Sequence, residues 1–144
     1  MALPIEDYGI IGDLHTAALV GRDGSIDWLC LPRFDSAACF SKLLGDDDHG
    51  FWKLAPKGSH GATHRHYRGD TLVLESEFVT SEGTVRIVDC MPIRQSHPEV
   101  VRMVEGVRTC SPCSTPAIAV SDAAADPRKG KGQRGFFHRH RAAS

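Results

Sequence analysis

The sequence predicts an all-β fold: a partial antiparallel β-sandwich with one short helix, followed by a disordered C-terminal tail. Three observations predict it. β-prone runs are joined by tight-turn residues throughout residues 1–109. Several of these runs alternate apolar and polar side chains with period two. The patterning then stops at Thr109 and is replaced by Ala, Ser, Pro, Gly and Arg. The chain thus divides into a 1–109 β domain and a 110–144 tail.

Residues 5–11 open the domain as a short apolar segment, with Gly9 and Gly12 as punctuation. Residues 16–20 and 25–31 flank Gly21-Arg22-Asp23-Gly24, and Asp-Gly is a strong turn signal because glycine accepts positive φ. These two runs form a hairpin. In its second strand Ile26, Trp28 and Cys30 point one way and Asp27 and Leu29 the other. Pro32 lacks a donor and ends that strand. Residues 36–44 then read as a short helix: Ser36 is a suitable N-cap, Cys39, Phe40, Leu43 and Leu44 share a helical face, and Gly45 stops it. Residues 51–54 return to β, and Pro56 to Ser59 make a turn. Residues 71–80 place Leu72, Leu74, Ser76 and Phe78 on one side. Across the Ser81-Glu82-Gly83 loop, residues 84–91 place Val85, Ile87 and Asp89 together. Residues 100–108 set Val101, Met103 and Glu105 against Val100, Arg102 and Val104. Successive strands with short connections make an antiparallel sheet.

Residues 110–144 hold only Ile118, Val120, Phe136 and Phe137 as large apolar side chains. Burial on that scale does not offset the entropy of ordering the segment, so disorder is expected. Charge divides at the same place. Residues 1–109 carry 11 Lys and Arg against 16 Asp and Glu, whereas residues 110–144 carry six against two. So abrupt a change suggests a shifted reading frame and a truncated product.

The overall net charge of −1 gives no reason to expect nucleic acid as a partner. The basic run from Lys129 to Arg141 is read as incidental charge. No apolar run approaches the roughly 18 residues a membrane span needs, and the start lacks a secretory signal. A cytoplasmic protein with thiols rather than disulfides is expected from Cys30, Cys39, Cys90, Cys110 and Cys113. Open sheet edges make self-association a further expectation.

Each chemical motif has a plainer reading. His60, His64 and His66 near Asp70 suggest a metal, but Arg65 and Arg68 interrupt them and no zinc spacing is completed. They read as an exposed basic strand edge. Asp46-Asp47-Asp48 lacks calcium-loop spacing and reads as a solvated loop. Cys110-Ser111-Pro112-Cys113 lacks the strand–helix setting of a redox motif, and zinc would need a second ligand pair such as the distant His138 and His140. Glu75 and Glu77 share one strand face, whereas glycosidic chemistry needs two carboxylates facing across a substrate. They read as a solvent-facing side. Arg68-Gly69-Asp70 reads as chance. No catalytic residue, metal site or cofactor is assigned.

The ordered string from Ile5 through Asp13, then residues 16–20, then Asp23 through Ser36 (DGSIDWLCLPRFDS) resembles the opening of bacterial family-15 glycoside hydrolases, the glucoamylase-like and trehalase-like enzymes. The similarity continues through Tyr67, Leu74, residues 85–91 and 101–106, covering residues 4–108. It implies a supersandwich-like N-terminal domain preceding an (α/α)6 barrel. The barrel would carry two catalytic glutamates and hydrolyse α-glucosidic bonds with inversion, so an α-glucoside substrate is reached only through that barrel. A barrel of a dozen helices needs well over ~150 residues, so none is expected here and this chain alone is expected to be inactive. The alternatives are a stand-alone carbohydrate- or partner-binding module and a non-functional fragment. Arg33 and Asp35, on the loop after Pro32, are the candidate substrate-binding or domain-interface residues, because both can hydrogen-bond sugar hydroxyls. The alternative role for them is bracing their own loop. Trp28, a strand residue among apolar neighbours, reads as core.

Overall fold

The computed structural model describes residues 2–109 and 118–123, with Arg108, Thr109 and 118–123 described by backbone alone. Among the described residues ten strands make two antiparallel sheets. The first contains β1 (Tyr8–Gly12), β2 (Ala17–Gly21), β3 (Ser25–Cys30), β5 (Phe51–Pro56) and β10 (Ile118–Ala123) in that order, with the short β4 (Ala38–Phe40) also paired to β3. The second runs β6 (His64–Tyr67), β7 (Leu74–Thr80), β8 (Gly83–Cys90) and β9 (Val101–Thr109). Three single 3-10 turns, at Ile5–Asp7, Lys42–Leu44 and Asp47–His49, complete the regular structure.

The β2–β3 hairpin forms where the Asp-Gly signal places it. Gly24 takes φ +83° and its N–H bonds the Gly21 carbonyl at 2.9 Å. A Cβ there would also run into the Leu54 carbonyl of β5, so only glycine fits. Both faces of β3 are covered: Ile26, Asp27, Leu29 and Cys30 are all buried.

The core lies between the sheets, each cluster drawing residues from both. One joins Ile11, Ala18, Val20, Ile26 and Leu29 to Leu74 and Met91. The other joins Leu54 and Ala55 to Phe78, Val85 and Ile87. The period-two reading of β7 and β8 holds: Leu74, Ser76, Phe78, Val85, Ile87 and Asp89 are buried, whereas Leu72 precedes the strand and is exposed.

Polar side chains also tie the sheets together. Arg102 of β9 donates to the Trp52 and Gly24 carbonyls of the opposite sheet at 2.9 and 2.8 Å. Arg65 of β6 donates to the Asp7 and Val20 carbonyls at 2.7 and 2.8 Å. The Gly24 and Asp7 carbonyls also accept the Leu54 and Arg22 N–H groups, so at these two positions the arginine is a second donor to one oxygen.

Residues 36–44 are not helical. Phe40 pairs with Leu29 and Ala38 with Cys30, so β4 extends the sheet, and only Lys42–Leu44 turns. Tertiary pairing here overrides local helical spacing, because Phe40 gains a place against the first core cluster. The 118–123 segment, within the stretch whose composition predicts disorder, pairs residue for residue with β5. The rest of that predicted tail, with its Cys110–Cys113 motif, His138 and His140, lies outside the described residues.

Candidate functional site

The Arg33–Asp35 loop leaves β3 at Pro32, through a cis Leu31–Pro32 peptide bond. Ser36 braces it: its N–H bonds the Arg33 carbonyl at 3.1 Å and its hydroxyl accepts the Arg33 N–H at 3.1 Å. The Arg33 guanidinium forks onto Asp35, Nε to Oδ1 at 3.1 Å and Nη2 to Oδ2 at 3.2 Å. Their side chains are 68% and 71% exposed. An ion pair this wet is worth ~1 kcal/mol or less. The guanidinium and carboxylate therefore remain open to a ligand or partner.

A second loop lies against the first. The Phe34 N–H donates to the His15 carbonyl at 3.2 Å. That second loop is built on Asp13, which is buried. Its Oδ1 accepts the His15 and Thr16 N–H groups at 3.0 and 2.9 Å. Its Oδ2 is held by Arg94 at 2.7–2.8 Å. Burial pushes the Asp13 carboxyl up, but the Thr16, His15 and Arg94 donors outweigh it and hold the group below the usual range. Thr16 donates its hydroxyl to the Cys30 carbonyl at 2.6 Å, fixing the loop to β3. Leu14, at the tip, takes φ +72° and is thrust into solvent.

Between the loops is a shallow, open depression of about 390 Å³ lined by Leu14, His15, Arg33, Phe34 and Asp35. Leu14 and Phe34 are exposed large apolar side chains, as is Ile93, which precedes the Arg94 that holds Asp13. The surface thus combines apolar faces with a charged fork, the make-up of a contact surface. Among the described residues Asp35 is the one carboxylate lining the depression. The sequence singles out Arg33 and Asp35 as candidates but not the residues that support their loop. Asp13 carries a signal, an Asx residue ahead of Thr16 after a strand. Arg94 carries none, since its partner lies 81 residues away.

The remaining candidates fall elsewhere. His64 and His66 sit on β6 with ring centroids 5.5 Å apart, and His66 approaches Glu75 at 3.5 Å. Among the described residues no three His, Cys, Asp or Glu side chains are grouped to hold a metal. Asp46 caps the Asp47–His49 turn by accepting the Asp48 N–H at 3.1 Å. Glu75 corrects the solvent-facing reading of its strand side: it is buried under Arg68 at 2.5 Å and Arg86 at 3.4 Å. The Arg68 hydrogen bond is the main reason its carboxyl is held down, against the opposing effect of burial. Glu77 pairs with Arg86 at 2.7 Å. Trp28 is half-buried in β3. No helix of the described residues is long and apolar enough to cross a membrane.

Comparison with known proteins gives a consistent picture. The chain is 38% identical over 107 residues to a trehalase of Thermoplasma volcanium, covering 70% of this chain and 17% of that one. It is 38% identical over 112 residues to trehalase 1 of Sulfolobus acidocaldarius, covering 78% and 19%. It is 35% identical over 94 residues to a trehalase of Mycolicibacterium smegmatis, covering 65% and 14%. The chain thus spans less than a fifth of the length of these relatives. No solved structure matches it. The family model described as trehalase-like, N-terminal, matches residues 1–120, and with the hairpin, the loop pair and the two-sheet architecture this places the chain in the trehalase-like N-terminal domain family.

Proposed function

We propose that this domain is the non-catalytic N-terminal part of a trehalase-type enzyme of glycoside hydrolase family 15. In this reading the enzyme cleaves α-glucosidic bonds of trehalose or related α-glucans in the cytoplasm. The domain itself positions and does not cleave. The carrying observation is the depression at the Arg33 loop, where Asp35 is already forked by Arg33 and has no opposing carboxylate among the described residues that line it. Inverting hydrolysis needs two carboxyl groups about 6.5–9.5 Å apart across the bond.

Arg33 and Asp35 then act at the boundary with the rest of such an enzyme. Exposed Leu14, Phe34 and Ile93 supply apolar contact, and the charged fork supplies register or reaches a sugar hydroxyl. Nucleic acid and membrane are not partners in this reading. Self-association belongs to it as a secondary property, through β9, where Met103 and Val107 are exposed.

The test is an assay of the purified chain for glucose release from trehalose, maltose and soluble starch. No turnover above buffer is expected, and turnover abolished by Asp35→Asn would overturn the proposal. Titration calorimetry with trehalose and maltooligosaccharides separates a positioning domain, which gives no heat alone, from a free-standing carbohydrate binder.

A further inference from the structure

Cys30 and Cys39 are brought together by an irregularity in the sheet. The β3–β4 register passes from Leu29↔Phe40 to Cys30↔Ala38, so Cys39 is the extra residue of a bulge. In a bulge two residues of one strand oppose one of the other. Directly opposed residues lie about 4.5–5.5 Å apart at Cα, and Cys39 is the chain neighbour of Ala38, the residue opposed to Cys30, which sets the two cysteines side by side across the β3–β4 pair. The Leu31 N–H, one residue beyond Cys30, bonds the Cys39 thiol. A charge on Cys30 also raises the Cys39 thiol, after the larger effect of burial.

Their access differs. Cys30 is buried, whereas Cys39 is half-buried on the shortest strand of the sheet. Three residues of edge strand open at little cost.

We propose that Cys30 and Cys39 are an oxidative modification site, closed into a disulfide by exchange with a low-molecular-weight disulfide such as glutathione disulfide. The Cys39 thiolate attacks one sulfur of the oxidant, whose S–S bond breaks to release one thiol. The Cys30 thiolate then attacks the Cys39 sulfur of the mixed disulfide and expels the second thiol. The two protein protons end on the two released thiols, and the oxidant is reduced as the protein is oxidised. Cys39 is the entry thiol because it is the reachable one, and Cys30 is the resolving thiol. The bond closes the loop that carries Arg33, Phe34 and Asp35, so oxidation fixes the candidate contact surface. Burial holds both thiols above their ordinary range, so exchange is slow at neutral pH and accelerates in alkali.

Trypsin cuts after Arg33, which lies between the two cysteines and makes the bond directly readable. The full chain is incubated under native conditions with glutathione disulfide, alkylated, digested and weighed. The expected product is residues 23–33 linked to residues 34–42, exceeding every other Cys30-containing disulfide at least tenfold. In concentrated urea that preference should collapse toward a mixture. In Cys39→Ser, Cys30 should remain unmodified. The proposal is overturned if native Cys39 stops at the glutathione adduct, if Cys30 links elsewhere, or if neither thiol reacts. Glutathionylation of Cys30 in Cys39→Ser at the wild-type rate would overturn the assigned order.

Discussion

Arg102 and Asp89 face each other across β9 and β8 as a buried pair, each side chain only 1% exposed. Nε and Nη2 of Arg102 meet the two carboxylate oxygens at 2.7 and 3.2 Å. The guanidinium lies 5.3 Å from the Trp52 ring, and its remaining donors reach two carbonyls of the other sheet. One side chain thus neutralises a core carboxylate and ties the sheets together.

Removing either partner strands a charge in the core, which costs about 3–5 kcal/mol. Arg102→Met and Asp89→Leu are each expected to lower stability by that amount in urea unfolding. The double variant should lose less than the sum, because no isolated charge remains. Additive losses would show that the pair is not coupled, and that Arg102 matters only through its carbonyl contacts.

The Tyr67 hydroxyl accepts the Ile10 N–H at 2.9 Å and donates to the Ile10 carbonyl at 3.0 Å. One side chain of β6 thereby covers both open backbone groups of Ile10 on the edge strand β1. Tyr67→Phe keeps the ring and loses both bonds, for an expected cost of about 1–2 kcal/mol. Amide exchange at Ile10 should accelerate more than at Ile11. Uniform acceleration along β1 would mean that the hydroxyl does not guard this position.

How much of this was readable in the sequence differs from element to element. The β2–β3 hairpin and the β7–β8 pair were legible because their signals are local: a glycine turn and strict alternation. Residues 36–44 misled because Cys39, Phe40, Leu43 and Leu44 fit a helix period that pairing with β3 overrides. β10 was hidden because Ile118 and Val120 stand alone in a stretch dominated by Ala, Ser, Pro and Gly, and the partner strand β5 lies about 60 residues earlier in the chain. The ends of the candidate loop were legible, since a proline stop followed by charged residues marks a loop. The Asp13–Arg94 support was not, because an ion pair between distant segments leaves no spacing to read.

That support yields a contrast in stability. Asp13→Ala removes the acceptor for two N–H groups and leaves Arg94 without its carboxylate, at an expected cost of about 1–3 kcal/mol. Arg33→Ala and Asp35→Ala should each change stability by less than about 0.5 kcal/mol, since their pair is solvated. Urea midpoints decide it. A loss at Arg33 as large as that at Asp13 would make the fork a structural brace and remove it as a contact element.

Acid should destabilise the domain through Glu75 and Asp13. Both folded carboxyls are held below their ordinary range, so the unfolded chain binds protons first as pH falls. Their contribution is fully present above the unfolded values, about 4.3 for Glu and 3.9 for Asp. It is lost as pH drops below these and through the lower folded values. The two guanidinium groups at Glu75, those of Arg68 and Arg86, then face a neutral acid. Stability measured by urea unfolding should therefore fall steeply below about pH 4.5. Glu75→Gln should lower stability at neutral pH and flatten that slope, because the neutral amide has no proton to gain. An unchanged slope in Glu75→Gln would place the acid sensitivity on other carboxylates.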